Sequence, residues 1–531
     1  MMKKVIKKLL AALLAVAMVC AMAIPAFAYN PGETKEDLNT KHDYGAFQIF
    51  EGVISKDNET LSDVNWGSNI DPDNFLPQLK SADTIGPLFA NANSAQDVLE
   101  VISQWHDSDD NSIAFARVVC HYLYPDANAN PTPVATDHTG GINIPKSGYY
   151  LIVDTSTFSD DDFYHAYNSF FLLNVPQTPY VVLVNHKVVK PTVEKEVYDN
   201  NDIGSTGGWG SSADHAINEP FQFRLIAKLP ASENNGRAYD YYKKYTVCFN
   251  DTLSDGITFD KLDTVEITNG DGSTPQVINN YTLDPNDPQS SFKLSIDDVK
   301  TCVPDLNKGA TITVTYTAHL NDKATVNTAN GSKTTDNKNS VYLEYSNNPR
   351  IDTSLDHTIT SEVCVYTYQL NNTKYRDEVN ENNKLPGAGF RLYSNEACHD
   401  EDEIKLKMND DGTYSRDFST EGKGVEMISG QDGQFNVKGL DAGTYYLKET
   451  TPPSGYSACA NKEIVISATH NGNHVELDSS KLSTTIINKK DGGITLPSTG
   501  GIGTTIFYVV GGGLMVAAIV LLVTKKRMEN K

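Results

Sequence analysis

Between residues 29 and 490, polar and apolar residues alternate in short runs, and Gly, Asn, Asp and Pro separate these runs. Alternation with a period of two is typical of strands that bury one face, and closely spaced turn residues favour sandwiches over helical bundles. A stretch of this length exceeds what one hydrophobic core normally organises. The sequence therefore predicts an all-β protein with several sandwich domains in a row.

Similar short strands recur and divide the chain into three units. The similar segments are residues 46–50, 221–225 and 388–393. We predict tandem immunoglobulin-like β-sandwiches, one for each unit. Their predicted bounds are residues 29–190, 191–355 and 356–490.

The first unit also carries a helical pattern. Ser94 is a suitable N-cap with Asp97 three residues later, and apolar residues then recur at helical spacing as far as Trp105. Residues 113–123 form a second candidate helix. We therefore expect a short helical insertion in the first domain, with its apolar stripe packed into the core.

The two ends of the chain carry targeting signals. Residues 1–28 combine a lysine-rich start, an apolar stretch and a small-x-small site, which is typical of a secretory signal peptide. Near the other end, an apolar run over residues 502–523 is long enough to cross a bilayer as a helix, and a basic tail over 524–531 favours a cytoplasmic end. The five residues that precede this run are Leu496, Pro497, Ser498, Thr499 and Gly500.

This order of pentapeptide, apolar run and basic tail resembles the LPXTG-type sorting signal of Gram-positive surface proteins. The resemblance implies that a sortase cleaves between Thr499 and Gly500 and joins the Thr499 carboxyl to an amine. The chain is then expected to be secreted and fixed to the peptidoglycan of the cell wall. The alternative is an ordinary C-terminal membrane anchor, in which the pentapeptide would be a coincidence.

Composition narrows the choice of partners. The net charge of −24 repels nucleic acid and anionic lipid.

We expect no metal and no cofactor, because no cysteine or histidine cluster has metal-ligand spacing and no glycine-rich phosphate loop follows a strand. The acidic segments 107–110 and 160–162 are interpreted as solvated loops rather than weak calcium sites. Cys398 and Cys459 are a candidate disulfide, with free thiols as the alternative.

Three polar side chains of the second domain are predicted to point into its core. Lys195, Asp251 and Asn347 each share a strand face with apolar residues. Burial favours the neutral amine and the neutral acid. An attack by neutral Lys195 on the Asn347 side-chain carbonyl, assisted by Asp251, would release ammonia and leave an isopeptide bond.

The third domain repeats this pattern. Lys374, Glu449 and Asn488 lie on predicted strands whose alternate residues are apolar. We interpret Lys374 as the nucleophile, Asn488 as its partner and Glu449 as the acid. For both domains the alternative is a set of ordinary salt bridges and polar residues at strand ends.

Longer motifs resemble the sortase-assembled major pilins, which are fimbrial backbone subunits of Gram-positive bacteria. Residues 209–230 and 251–259 are similar to their isopeptide-forming middle domain. Residues 385–390 and 445–456 are similar to their SpaA-type, Cna-B-like terminal domain. The resemblance implies Cna-A/Cna-B-like immunoglobulin folds, and it identifies Glu449 as the acid of the Tyr-x-Leu-x-Glu motif.

Two residues depart from the pattern of that family. Asn372 stands where the family has an apolar residue beside the reactive lysine. Val153 stands where Glu449 stands in the third domain, when the two Tyr-Tyr-Leu segments are aligned, so we expect no isopeptide bond in the first domain.

Polymerisation would also need a lysine that accepts the Thr499 carboxyl of another subunit. The Tyr-Pro-Lys-like motif that carries this lysine in backbone pilins is absent here. Lys190 and Lys187 are the nearest candidates, and Lys190, at the domain junction, is preferred. For either residue, the alternative is an ordinary surface lysine.

Together these features predict a structural protein whose isopeptide chemistry is a single self-directed turnover, and not an enzyme. We expect the backbone subunit of a covalently polymerised pilus, with sortase, other pilin subunits, peptidoglycan, and host or neighbouring-cell ligands as partners. A minor pilin or a monomeric wall-anchored adhesin is the first alternative, and the missing Tyr-Pro-Lys motif favours it. A wall-bound enzyme is the second, but the sequence shows no recognisable catalytic setting for it.

Overall fold

The computed structural model describes residues 42–490, apart from short gaps, and a few residues of the C-terminal tail. The gaps are residues 55–60, 107–108, 138–140, 159–164, 176–179, 184–187, 201–207, 234–235, 288–290, 330, 332–333 and 420. The predicted signal peptide, Lys187, the acidic segment 160–162, the pentapeptide and most of the apolar run lie outside the described residues. Among the described residues, no helix has the length and apolar character needed to cross a membrane.

Domain 1 is built on an antiparallel sheet in the order β2–β1–β5–β6, with β3 also paired to β1. Three helices pack on one face of this sheet, and the separate pair β4–β7 contributes to a smaller apolar cluster. The strands are β1 (Tyr44–Ile54), β2 (Leu61–Trp66), β3 (Ala135–Asp137), β4 (Gly141–Ile144), β5 (Gly148–Asp154), β6 (Phe171–Val175) and β7 (Tyr180–Leu183). The helices are α1 (Pro72–Ser81), α2 (Ala95–Ile102) and α3 (Asp110–Leu123).

The helical insertion of domain 1 is larger than its sequence pattern suggested. Helix α2 begins with the predicted capping box, in which Ser94 and Asp97 bond each other's backbone N–H groups. Helix α3 covers the second predicted segment. Helix α1 was not predicted, although Asp71 caps it and Pro72 occupies its first turn, where a missing N–H costs nothing.

Domain 2 is a sandwich of two sheets around one large core. One sheet has the order β10–β20–β18–β12–β16–β15, with β19 paired to β18, and the other has the order β14–β13–β17–β11–β8–β9. The first strands are β8 (Thr192–Asp199), β9 (Gly208–Gly210), β10 (Ser212–Asp214), β11 (Pro220–Leu229), β12 (Val247–Leu253), β13 (Ile257–Asn269) and β14 (Gln276–Val277). The remaining strands are β15 (Thr282–Asp287), β16 (Ser291–Ile296), β17 (Ala310–Leu320), β18 (Lys338–Ser346), β19 (Leu355–His357) and β20 (Ser361–Tyr366).

The predicted boundary between domains 2 and 3, at residues 355/356, is too early. Strand β20 pairs antiparallel with β18 and parallel with β10, so it belongs to the domain 2 sheet. Its alternate residues serve two cores: Val363 and Val365 pack in domain 2, whereas Cys364 and Tyr366 pack in domain 3. The two domains therefore meet tightly along this strand.

Domain 3 is a smaller sandwich whose sheets have the orders β24–β25–β27–β21–β32 and β23–β22–β28–β29, with β26 paired to β22 and β30 paired to β31. The first strands are β21 (Tyr368–Arg376), β22 (Gly389–Tyr393), β23 (Glu403–Ile404), β24 (Leu406–Met408), β25 (Tyr414–Arg416) and β26 (Met427–Ile428). The others are β27 (Val437–Leu440), β28 (Gly443–Thr451), β29 (Lys462–Ile466), β30 (Ala468–Asn471), β31 (His474–Leu477) and β32 (Ser483–Asn488). Strands β21 and β32, the first and last of the domain, run parallel to each other.

Short 3₁₀ turns lie between several of these helices and strands. They are Gly86–Phe89, Ala238–Tyr241, Val299–Thr301, Leu306–Lys308, Glu381–Asn383, Asp400–Asp402 and Ser479–Leu482.

Candidate functional site

Three strands of domain 3 bring its predicted reactive residues into one buried site. Lys374 lies on β21, Glu449 on β28 and Asn488 at the end of β32. On each strand the alternate residues are buried, so the strand pleat directs the three polar side chains inward with their apolar neighbours. The side chains of Lys374 and Glu449 have no exposed surface.

Each polar group of this site contacts the other two. Lys374 Nζ donates a hydrogen bond to Asn488 Oδ1 and lies 3.2 Å from Glu449 Oε1. Asn488 Nδ2 donates to the same Glu449 oxygen at 2.7 Å, and the Cys459 N–H donates to Glu449 Oε2 at 2.8 Å. The Phe390 ring centre lies 5.1 Å from Lys374 Nζ and helps to exclude water. Amine, acid and carboxamide are thus in the contact that amide exchange requires.

In domain 2, two of the three predicted residues meet in the core. Lys195 on β8 and Asp251 on β12 form a direct ion pair in which neither side chain has exposed surface. Lys195 Nζ also donates to the Tyr316 hydroxyl at 3.1 Å, and that hydroxyl donates to Asp251 Oδ1 at 3.1 Å. The rings of Phe223 and Tyr316 lie 5.4 Å from the amine. The pair therefore sits in an aromatic pocket between the two sheets.

The third polar residue at this site is Asn339, which sequence reasoning missed. Asn339 is fully buried on β18, and its Nδ2 donates to the same Tyr316 hydroxyl at 2.6 Å. Its carbonyl oxygen, Oδ1, has no hydrogen-bond partner among the described residues. Strand β18 lies beside β12, with Val341 opposite Asp251 and Asn339 opposite Leu253. The carboxamide of Asn339 therefore bonds the same hydroxyl group as the amine and the acid.

The prediction that Asn347 is the partner of Lys195 is wrong in this structure. Strand β18 ends at Ser346, so Asn347 lies beyond the sheet, at the opposite end of the strand from Asp251. Its Oδ1 accepts a hydrogen bond from Ser354 at 2.8 Å, and its backbone carbonyl accepts one from Tyr167 of domain 1. Asn347 therefore has a role at the junction between domains 1 and 2. The sequence correctly predicted which face of β18 is buried, but the reactive asparagine was placed at the wrong end of that strand.

Burial shifts the pKa values of Lys195, Asp251 and Lys374 in the direction that favours their neutral forms. It lowers the pKa of Lys195 to about 8, although the charge of Asp251 opposes this change. Burial also raises the pKa of Asp251, against the opposing charge of Lys195. In domain 3, burial lowers the pKa of Lys374, with Cys459 and Glu449 acting in the opposite direction. A neutral amine beside a protonated acid is the pairing that nucleophilic attack on an amide needs.

Asn372 and Val153, the two residues that differ from the pilin pattern, lie in different environments. Asn372 is buried near Lys374 on the same strand, and its Nδ2 donates to the Phe435 carbonyl at 3.1 Å, so the polar residue serves the backbone. In domain 1, Val153 is buried in the apolar core. The neighbouring Asp154 carboxylate accepts hydrogen bonds from Ser156 Oγ at 2.6 Å and the Asn168 N–H at 2.8 Å.

The remaining predicted residues lie apart from both sites. Lys190 is half-buried at the junction of domains 1 and 2, two residues before β8, and Lys187 is outside the described residues. The predicted disulfide is absent from the described residues, because Cys398 and Cys459 are both free thiols. Asn461 Nδ2 donates to Cys398 Sγ at 3.3 Å, whereas Cys459 lies at the Glu449 site.

Two family models match the C-terminal part of the chain. The SpaA prealbumin-like fold domain matches residues 368–481, which begin with the first strand of domain 3. The LPXTG cell wall anchor motif matches residues 488–530. Both matches confirm parts of the sequence-based interpretation: the SpaA-type terminal domain and the cell-wall sorting signal.

The fold is also similar to solved pilins, at low identity. The full-length major pilin SpaD from Corynebacterium diphtheriae is 17% identical, with a TM-score of 0.41, and the alignment covers 87% of this chain and 94% of SpaD. The T6 backbone pilin of serotype M6 Streptococcus pyogenes is 15% identical, with a TM-score of 0.45, and the alignment covers 86% of this chain and 97% of T6. The 35 kDa C-terminal fragment of the major pilin GBS80 of Streptococcus agalactiae is 22% identical, with a TM-score of 0.39, and the alignment covers 56% of this chain and 99% of the fragment.

At this level of similarity, no residue role transfers from those structures to this chain. No curated protein matches the chain. The assignment therefore rests on the two family matches, which cover domain 3 and the C-terminal signal. The chain is a cell-wall-anchored surface protein of the Gram-positive type, with a SpaA-type prealbumin-like domain next to its LPXTG anchor motif.

Proposed function

We propose that this protein is the backbone subunit of a covalently polymerised, wall-anchored pilus, and that isopeptide bonds lock its second and third domains. The observation that carries the proposal is the pair of buried sites that each gather a lysine amine, a carboxyl group and an asparagine carboxamide, in direct contact in domain 3 and through the shared Tyr316 hydroxyl in domain 2. An unlinked lysine is expensive to bury, and a chain that only needed stability would fill these positions with apolar residues. A covalent product removes that cost.

In domain 3, the neutral amine of Lys374 attacks the side-chain carbonyl carbon of Asn488. Glu449 in its acid form donates a proton to the carbonyl oxygen. Its carboxylate then takes a proton from the attacking amine and passes it to the departing nitrogen, and it recovers its own proton from the oxygen as the carbonyl forms again. The bond between that carbon and the amide nitrogen breaks, and ammonia leaves. The new amide joins β21 to β32, so that the first and last strands of the domain become one covalent unit.

In domain 2, the same chemistry joins Lys195 to Asn339, with Asp251 as the acid. The Tyr316 hydroxyl bonds the amine, the acid and the carboxamide, which supports a positioning role for this tyrosine. The product links β8 of one sheet to β18 of the other, so it fastens the two layers of the sandwich.

These two bonds would redirect a pulling force along the pilus. The bond in domain 2 bypasses residues 196–338, and the bond in domain 3 bypasses residues 375–487. Between the two sites, residues 340–373 would then carry tension through the backbone alone. Such crosslinks limit local opening, and therefore also proteolysis.

The mass of the intact chain tests the self-crosslinking. A recombinant chain of residues 29–499, which holds all three domains, should be lighter than its sequence by two ammonia masses. Replacing Lys374 by arginine should restore one of these masses and leave the other missing. A folded wild-type chain with the full sequence mass would refute both bonds.

The role in polymerisation rests on the anchor signal and on an acceptor lysine, for which Lys190 is preferred over Lys187. Cell-wall extracts should contain a ladder of high-mass species that reacts with an antibody to this chain. The ladder should be lost in Lys190→Arg and kept in Lys146→Arg, an exposed lysine of domain 1 that serves as the control. Loss in Lys187→Arg instead would move the acceptor to that residue.

The alternative function is a minor pilin or a monomeric wall-anchored adhesin. The absence of the Tyr-Pro-Lys motif favours this alternative. In that case a single wall-linked species would appear in place of the ladder, while the mass deficit of the recombinant chain would be unchanged. The two measurements therefore separate the crosslinking from the role in the polymer.

A further inference from the structure

A third polar cluster lies where domains 2 and 3 meet, away from both lysine sites. Asp199 at the end of β8 and Asp214 at the end of β10 come from domain 2, and His470 on β30 comes from domain 3. His470 Nε2 lies 3.1 Å from Asp199 Oδ2 and 3.9 Å from Asp214 Oδ2. All three ligand atoms lie within 4.8 Å of one another, and the three side chains are at most 6% exposed.

Neighbouring hydroxyl groups hold this cluster in position. Ser212 Oγ lies 2.9 Å from His470 Nδ1, and it accepts a hydrogen bond from the Gly472 N–H at 3.1 Å. This contact at Nδ1 leaves Nε2 directed at the two carboxyl groups. The Tyr368 hydroxyl donates to Asp214 Oδ2 at 2.9 Å. Oriented ligands with a supporting outer shell of hydrogen bonds are a general feature of metal sites in proteins.

The cluster also has more acidic groups than its basic groups can neutralise. Asp214 is fully buried, and its Oδ1 has no hydrogen bond to an N–H group or hydroxyl among the described residues. A side-chain neighbour of Asp214 is another carboxyl group, that of Asp441 in domain 3. Buried carboxyl groups in such contact require a shared proton or a cation.

We propose that Asp199, Asp214 and His470 form a binding site for a divalent transition-metal ion of the zinc class, which joins domain 2 to domain 3. One imidazole nitrogen and two carboxylate oxygens are a suitable donor set for zinc, whose tetrahedral ligand atoms lie about 3.3 Å apart. Calcium is disfavoured, because it takes only oxygen ligands and one of the three ligand atoms here is the imidazole nitrogen of His470.

The site would stiffen the part of the chain that neither isopeptide bond protects. Strand β20, between the two lysine sites, pairs with β10, and β10 ends at Asp214. A bound ion would connect this region to the β30–β31 hairpin of domain 3, in addition to the Tyr366–Gly472 hydrogen bond of 2.9 Å. The inference does not depend on either isopeptide bond or on the pilus role.

Calorimetric titration of zinc ions into the chain of residues 29–499, freed of metal with a chelator, tests the proposal. We expect one ion per chain, a higher thermal midpoint with zinc, and no comparable binding of calcium. His470→Gln should weaken zinc binding at least tenfold. The matched control is His474→Gln on the same hairpin, because His474 is exposed and lies outside the cluster. Asp199→Asn gives a second ligand variant, from the other domain.

Each possible result decides the question. Loss of affinity in both ligand variants, with folded circular-dichroism spectra and an unchanged His474→Gln, supports the site. The proposal is overturned if the wild-type chain binds no zinc stoichiometrically, because His470 then serves only as an ion-pair partner of the carboxylates. It is also overturned if the wild-type chain binds zinc and both ligand variants bind it equally well, since the ion then lies elsewhere.

Discussion

Replacing Asn339 by alanine should make domain 2 extensible under load. In the proposed wild-type chain, the Lys195–Asn339 bond carries force past the 143 residues from 196 to 338. Both side chains contact the Tyr316 hydroxyl, so their ends lie close together in the folded domain. Unfolding the variant should therefore release nearly the whole contour length of this segment, about 500 Å at roughly 3.5 Å per residue.

Single-molecule pulling on residues 29–499, held at the two ends, would measure this length. Domain 1 has no proposed crosslink and is of similar length, so every variant should show one step of about this size from domain 1. The wild-type chain should show no second step, whereas Asn339→Ala should show a second one, from domain 2. Asn347→Ala is the matched control, because it removes the same side chain from just beyond the same strand and should behave as wild type. The reasoning is refuted if the wild-type chain already gives the second step, or if Asn347→Ala gives it and Asn339→Ala does not.

Three further predictions concern the acid, the amine and the thiols. Glu449→Gln keeps the shape of the side chain but removes the acid, so Lys374 and Asn488 should be recovered in separate tryptic peptides; a linked peptide would exclude the acid role. Because burial lowers the pKa of Lys195 to about 8, crosslinking of freshly synthesised domain 2 should accelerate as the pH rises towards that value and more amine becomes neutral. Timed mass spectra would follow this, and a rate independent of pH would contradict it. The denatured chain of residues 29–499 should titrate six thiols without reductant, whereas four would indicate a disulfide.

Strand periodicity alone predicted which polar side chains enter the cores. In the central parts of β8, β12, β21, β28 and β32, alternate residues are buried, and the predicted lysines and acids all have that parity. In domain 3, the three residues chosen from the sequence lie together in the structure, because Asn488 ends the last strand and that strand lies directly beside the lysine strand. Local pattern and topology agree there.

The partner in domain 2 could not be chosen from parity, because Asn339 and Asn347 have the same parity on one segment. The choice depends on the register between β12 and β18, which places Val341 and not Tyr345 opposite Asp251. Register is set by the pairing of distant segments. Asn339 lies two residues before Val341, so it can be recognised as the partner of Lys195 only when the pairing of Val341 with Asp251 is known.

The cluster between the domains was hidden for a similar reason. Its aspartates and its histidine are separated by more than 250 positions, so no local spacing resembles a metal motif. The misplaced boundary at residue 355 had the same origin, because the pairing of β20 with β10 is parallel and joins distant parts of the chain. Contacts of this kind follow from tertiary structure and not from periodicity.

The most direct test of the account is peptide mapping of the folded chain of residues 29–499 by mass spectrometry. The account predicts two branched peptides, each lighter by one ammonia than the sum of its parts, with Lys195 joined to Asn339 and Lys374 joined to Asn488. Recovery of all four residues in unlinked peptides from well-folded protein would contradict it. A link between Lys195 and Asn347 would keep the chemistry but contradict the register of β18 on which the domain 2 site depends.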